Sequence, residues 1–118
     1  MRTMERPAAC CSNPIIPAPL ARSDALVAGF KALGDATRLE IFRLIAVQEA
    51  PLCACDIVDR FDVTQPTISH HLRVLRQAGL ITATKRGVWM YYAVDPRGAE
   101  ILGRFLAGFV REAAVAAD

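Results

Sequence analysis

Apolar residues recur along this chain with two periods, one near 3.6 residues and one of two, and the switches between them divide it into elements. Leu26, Val27, Phe30 and Leu33 form one stripe, on a helix that Ser23 and Asp24 cap and Gly34 ends. Asp35 caps a second helix over about 36–48, carrying Leu39, Phe42 and Ile45 at helical spacing. A short helix over 53–61 and a turn at Asp62-Val63 lead into a helix capped by Thr64 that runs to about Gln77, where Gly79 supplies a left-handed stop. Two helices of this size joined by so short a turn are a helix-turn-helix candidate. Leu80–Lys85 and Trp89–Val94 are rich in Ile, Thr, Val, Trp and Tyr, and the polar turn Lys85-Arg86-Gly87 between them predicts a β-hairpin. Asp95-Pro96 opens a last helix with Ile101, Leu102, Phe105, Leu106, Phe109 and Val110 along one side. The expected fold class is mainly α with one β-hairpin.

Composition fits that picture and narrows it. At 118 residues, 53% hydrophobic and 22% charged, the chain reads as one folded domain and not as a collagenous or low-complexity polymer. Four of the seven prolines fall within residues 1–22, which predicts an extended arm ahead of a domain spanning 23–117. Prolines also break the charge-free stretch from Pro7 to Ala21, so it offers neither a membrane span nor an export segment, and a cytoplasmic protein is expected. A core this small, with so apolar a last helix, suggests packing against a second copy of the chain.

The net charge of +2 conceals a segregation. No Asp or Glu occurs from Val63 to Val94, a stretch holding Arg73, Arg76, Lys85 and Arg86 and therefore +4, against −2 for the remainder. On the helix beginning at Thr64, Ile68, Leu72 and Leu75 form the inward stripe. Ser69, His70, Arg73 and Gln77 face the other way, with Gln65 and Thr67 in the first turn. These side chains can hydrogen-bond base edges or phosphates, so DNA is the expected partner. His71 flanks the apolar stripe and reads as structural.

Four stretches then carry a resemblance. They are Lys31-Ala-Leu-Gly-Asp-Ala-Thr-Arg-Leu-Glu-Ile, the box Leu52-Cys-Ala-Cys-Asp-Ile, the run from Thr64 to Leu80 and the hairpin segment Lys85-Arg-Gly-Val-Trp-Met-Tyr-Tyr. Together, in this order and over roughly residues 25–112, the chain resembles the ArsR/SmtB family of metal-sensing repressors. The resemblance implies a homodimeric winged helix-turn-helix that binds operator DNA when unloaded and releases it when a metal or metalloid binds. It implies that the helix from Thr64 enters the major groove, that Lys85 and Arg86 tip the wing, and that the first and last helices form the dimer interface.

The four cysteines fall into two tight pairs, Cys10-Cys11 on the arm and Cys53-x-Cys55 ahead of the helix-turn-helix. Cytosolic thiols stay reduced, and thiolates select soft ions such as As(III), Sb(III), Cd(II) and Pb(II). A helix N-terminus beside Cys53 and Cys55 should favour thiolate. Residues two apart do not face each other on a regular helix, so this pair needs ligands from elsewhere, and Cys10 and Cys11 are the only other thiols. The box matches the family's thiolate box at both cysteines. Arsenic-sensing relatives with three thiols inside it have a further cysteine where Val58 stands here, so the resemblance assigns the remaining ligands to the arm. Two arrangements follow: an As(III) or Sb(III) site using Cys10, Cys11 and one box cysteine, preferred because adjacent arm cysteines are the arsenic type's pattern, or a four-thiolate Cd(II) or Pb(II) site using all four. The zinc site of some relatives needs histidines on the last helix; none stands there, and Glu100, Arg104, Arg111 and Glu112 read as a solvated face. A thiol enzyme is not expected, since no Cys–His–Asp constellation or phosphate-cradling glycine loop is present. A thiol redox switch on the same scaffold and a protein-interaction module are the remaining rivals.

Overall fold

A computed structural model describes residues 14–117, with side chains described through residue 110. Five helices and a small sheet follow in the order α1 (Ser23–Leu33), α2 (Ala36–Ala46), β1 (Leu52–Cys53), α3 (Ala54–Val58), α4 (Gln65–Gln77), β2 (Ile81–Arg86), β3 (Trp89–Val94) and α5 (Pro96–Ala117). The sheet is antiparallel with β3 in the centre, in the order β1-β3-β2. Among the described residues no helix is long and apolar enough to cross a membrane.

The core forms where the helical stripes converge. Ile41 of α2, Ile57 of α3, Ile68 and Leu75 of α4, and Leu80 before β2 are its largest fully buried side chains. The inward stripe expected on α4, Ile68-Leu72-Leu75, is buried as a unit. Each fully buried Leu or Ile contributes roughly 1.5–3 kcal/mol of transfer free energy. The other stripes are only half covered. On α1 Leu26 is buried, whereas Val27 and Phe30 stay exposed; on α5 Leu102 is buried, whereas Leu106, Phe109 and Val110 are exposed. α1 and α5 meet closely because Gly29 leaves room for the Leu102 side chain, and Phe30 stacks edge-on against Phe105 at 6.0 Å.

Local departures from the sequence reading have local causes. Ser23 does not cap α1: it is the first helical residue, and the cap is Arg22, in the left-handed region at φ 58° with no side-chain hydrogen bond. Asp35 does cap α2, accepting the Arg38 amide at 2.9 Å. That helix ends at Ala46, two residues before Gln48, whose side-chain amide donates to the Leu44 carbonyl; it turns Ile41 and Ile45 inward and leaves Leu39 exposed. The helix expected over 53–61 is shorter, because Leu52 and Cys53 pair with Tyr92 and Tyr91 as a strand. In the hairpin Arg86 pairs with Trp89, so the turn is Gly87-Val88 and not Lys85-Arg86-Gly87; Gly87, at φ 63°, adopts the conformation that a two-residue hairpin turn demands.

The base of the hairpin is bound tightly to α5. The Asp95 amide donates to the Leu80 carbonyl at 2.9 Å, and the Asp95 carboxylate accepts the Arg97 amide at 3.1 Å. Gly98, in the first turn of α5, lies directly against the Gly79 carbonyl; a Cβ there would overlap it. Two glycines meeting backbone to backbone leave no side chain between the α4–β2 turn and α5.

Candidate nucleic-acid interface and thiol site

α4 is presented by a cap and a packed stripe. The Thr64 Oγ1 accepts the Thr67 amide at 3.4 Å and lies 2.9 Å from the Thr67 hydroxyl, with Pro66 in the first turn, where a missing N–H does no harm. With Ile68, Leu72 and Leu75 buried, Gln65, Ser69, His70, Arg73 and Gln77 are exposed along the opposite side. Thr67, read as a reading-face residue, is half-buried with its hydroxyl engaged at the cap. Lys85 and Arg86 are exposed at the end of β2, and the Arg86 guanidinium sits 4.9 Å over the Tyr91 ring. A cation resting on an aromatic face has fewer conformers to lose when it meets a phosphate. Ion pairs among the described residues join Arg43 to Glu40, Arg97 to Asp95 and Arg104 to Glu100; none uses a cation between residues 63 and 94. The cations of the basic, acid-free stretch, Arg73, Arg76, Lys85 and Arg86, are thus exposed on α4 and at the hairpin tip.

His71 has a packing role, as its place on the stripe suggested, but with a partner the sequence did not reveal. Arg38 of α2 reaches the His71 Nδ1 at 3.2 Å while donating to the Ala32 carbonyl at 2.7 Å. Burial, the largest influence, pushes the His71 ring below its ordinary pKa, against the opposing pull of Asp35.

The box thiols are placed unequally. Cys53 is buried, ends β1 and caps α3, its Sγ accepting the Cys55 amide at 3.4 Å; Cys55 is exposed. The expectation that a helix N-terminus would favour thiolate does not hold for Cys55. Its hydrogen bond with the Cys53 thiol, then burial and the neighbouring charges of Cys53 and Asp56, raise its pKa. A helix of five residues carries too small a dipole to overcome these effects. Cys55 lines a groove of about 430 Å³ between α3, α4 and β3, together with Asp59, Gln65, Ser69 and Trp89. Cys10 and Cys11 lie outside the described residues. Among the described residues no group of three or more His, Cys, Asp or Glu side chains is placed to hold a metal ion.

These features have counterparts in known proteins. The bacterial regulatory protein, arsR family, profile matches residues 35–83. An HTH-type transcriptional regulator of Methanocaldococcus jannaschii is 50% identical over 74 residues, a span covering 62% of this chain and 82% of that one. The chain belongs to the ArsR family. Other relatives are matched over less of their length. The arsenic resistance transcriptional regulator of Pseudomonas putida is 38% identical over 81 residues, 69% of this chain and 62% of its own. A cadmium resistance transcriptional regulatory protein homolog of Staphylococcus aureus is 39% identical over 66 residues, 56% of this chain and 54% of its own. The crystal structure of an ArsR family transcriptional regulator superposes with a TM-score of 0.66 at 23% identity, over 74% of this chain and 93% of that one. The solution structure of a homodimeric winged helix-turn-helix DNA-binding domain from Mycobacterium bovis gives 0.60 at 24% identity, over 81% and 91%. This ArsR-family chain therefore has the winged helix-turn-helix fold, with α3 and α4 as the helix-turn-helix and the β2–β3 hairpin as the wing. Its relatives are transcriptional regulators and not enzymes.

Sequence reasoning missed Arg38, β1 and the stacking of Arg86 on Tyr91. Asp35 three residues before Arg38 signals only the α2 cap, and nothing in spacing links Arg38 to a ring 33 residues away.

Proposed function

We propose that this ArsR-family chain is a cytoplasmic, metalloid-responsive repressor that binds operator DNA as an unloaded dimer and is released when As(III) or Sb(III) is bound by its cysteine thiolates. The observation that carries the reading is the nearness of two unlike sites. Gln65 and Ser69 of the exposed α4 face and Trp89 of the wing line one groove with Cys55, and Cys53 is paired into the strand beside the wing. Arsenic resistance regulation by the Pseudomonas putida relative supports the choice of inducer.

In this reading two copies join through the uncovered sides of α1 and α5, where Val27, Phe30, Leu106, Phe109 and Val110 are exposed. The two α4 helices then enter successive major grooves, a spacing that favours a near-palindromic operator. Gln65, Ser69, His70, Arg73 and Gln77 address base edges and phosphates, and Lys85 and Arg86 hold the flanking backbone. One of Cys53 and Cys55 supplies a soft donor, and Cys10 and Cys11 complete a trigonal set. Ligand binding draws the arm onto the β1–α3 junction and shifts the two reading heads. The coupling is reciprocal: whatever factor the inducer takes from DNA affinity, DNA takes from inducer affinity.

The test is an anisotropy titration of the reduced protein with a duplex selected by the chain from a random pool, repeated with arsenite, Cd(II), Pb(II) and Zn(II). Release by arsenite, lost on replacing Cys10 and Cys11 with serine, is the expected result. Release by Cd(II) or Pb(II) alone moves the assignment to a four-thiolate site, which the cadmium-resistance relative supports as the second reading. Release by peroxide but by none of the ions replaces it with a redox switch.

A further inference from the structure

We propose that Arg38 and His71 are positioning residues for DNA recognition: a hydrogen-bonded clasp that holds the reading helix α4 at its working tilt while neither side chain addresses the DNA itself. The inference rests on the reading of α4 as the DNA-contacting helix. Its basis is the geometry of one guanidinium. Arg38 leaves the first turn of α2, where its own amide is bound by Asp35 at 2.9 Å. Its Nε donates to the Ala32 carbonyl at the end of α1 at 2.7 Å, and its NH1 lies 3.2 Å from the His71 Nδ1. One side chain thus joins the end of α1 and the start of α2 to the middle of α4. Apolar packing of Ile68, Leu72 and Leu75 fixes which side of α4 faces inward, but such packing is non-directional. The clasp adds the direction.

The chemistry also fixes the imidazole. A guanidinium has donors only, so the His71 Nδ1 must be the acceptor and the proton of the neutral ring must sit on Nε2. Protonating Nδ1 would set donor against donor and cation against cation at the same distance. Asp35 and Arg38 from the α2 side, and His70 from α4 itself, are the charged or titratable groups that bear on the ring. Asp35 favours the protonated ring, whereas burial, Arg38 and His70 disfavour it, and burial is the largest of these influences. Because the ring's pKa is depressed, the clasp is complete above the ordinary histidine value of about 6.5 and is lost as the pH falls below it.

The experiment compares the full-length wild type with His71→Leu, Arg38→Met and His71→Asn, all reduced and metal-free, on the selected duplex and on a scrambled one. His71→Leu and Arg38→Met are expected to lose about tenfold in affinity for the selected duplex, with unchanged helix content by circular dichroism and little change on the scrambled duplex. Asn places its Oδ1 near the position of Nδ1 and does not titrate. His71→Asn is therefore expected to bind within about threefold of wild type at pH 7.5. As the pH is lowered through the His71 titration, this variant should bind the selected duplex more tightly than wild type. Long-range proton–nitrogen NMR of the free wild-type protein should show an Nε2–H tautomer at His71 and titration below the ordinary histidine value. A His71 ring in the Nδ1–H tautomer, or wild type and His71→Asn with the same pH profile, overturns the clasp. A wild-type chain that binds no DNA overturns the proposed function, and the positioning role with it. Normal binding by wild type and His71→Leu alike overturns the positioning role alone.

Discussion

Replacing Gly98 with alanine is the sharpest test of the packing described above, because local propensity and tertiary structure predict opposite signs. In an isolated helix the change is favourable by up to about 1 kcal/mol, since glycine is the poorer helix former. Here the new Cβ would overlap the carbonyl oxygen and carbon of Gly79. Both are backbone atoms at a residue held at φ 77°, so no rotamer change can relieve the clash. The start of α5 must lift from the α4–β2 turn, which also strains the Asp95 amide bond to the Leu80 carbonyl. Overpacking typically costs about 1–3 kcal/mol, and a weakened backbone hydrogen bond adds about 1 kcal/mol. After the propensity gain, a net loss of about 2 kcal/mol is expected, or roughly 8 °C in Tm for a chain of this size. The assay is urea and thermal unfolding followed by circular dichroism, at one fixed protomer concentration so that the proposed self-association contributes equally to each variant. Gly103→Ala in the same helix serves as the internal control. Nothing lies within 4 Å of a Cβ built there, so that variant should gain about 0.5–1 kcal/mol. If Gly98→Ala is as stable as wild type or more so, the close approach of α5 to the α4–β2 turn is wrong.

Three further outcomes follow from the structure. Leu75→Ala empties a fully buried position on α4 and should cost about 2–5 kcal/mol in chemical denaturation, against under 1 kcal/mol for Leu39→Ala on the exposed side of α2. Phe109→Glu places a charge on the uncovered side of α5, where Phe109 is 57% exposed; sedimentation should show monomers with intact helix content, and persistent dimers would mean that another surface mates. The raised pKa of Cys55 leaves that thiol protonated at neutral pH, so Cd(II), which must displace the proton, should bind about tenfold more weakly per unit fall in pH for each proton displaced. Arsenite, As(OH)₃, releases hydroxide to each thiol proton as water, so its affinity should change little between pH 8 and 6.5; calorimetry in two buffers separates the cases by the protons released.

The longest periodic segments were the most legible. α4, its Thr64 cap, its buried stripe and the left-handed Gly79 follow from residue spacing alone, because each is decided within one helix and its next residue. So does the acid-free surface, since charge on an exposed side of a helix is visible in the sequence. What escaped depends on distant pairing. β1 is only two residues long and exists because Leu52 and Cys53 find Tyr92 and Tyr91 some forty positions later, so Cys53 lay hidden at the edge of an apparent helix. The hairpin turn lies further along than the sequence suggested because Arg86 pairs with Trp89 and its guanidinium stacks on Tyr91, contacts that spacing does not reveal. Arg22 took over as the α1 cap without any capping side chain, a choice that propensity rules rank low. The thiol box was legible as a pair, and its inequality was not: burying one sulfur and exposing the other is a tertiary outcome.

The groove that joins Cys55 to the wing also gives the protein a built-in optical probe. Trp89 is the single tryptophan of the chain, and it stands at the first position of β3, half exposed, lining the same groove as Cys55. Indole emission responds to solvent access and is quenched by nearby sulfur and heavy atoms. The proposed occupancy of the thiols and movement of the wing would therefore be read in one cuvette without a dye, in the unaltered protein.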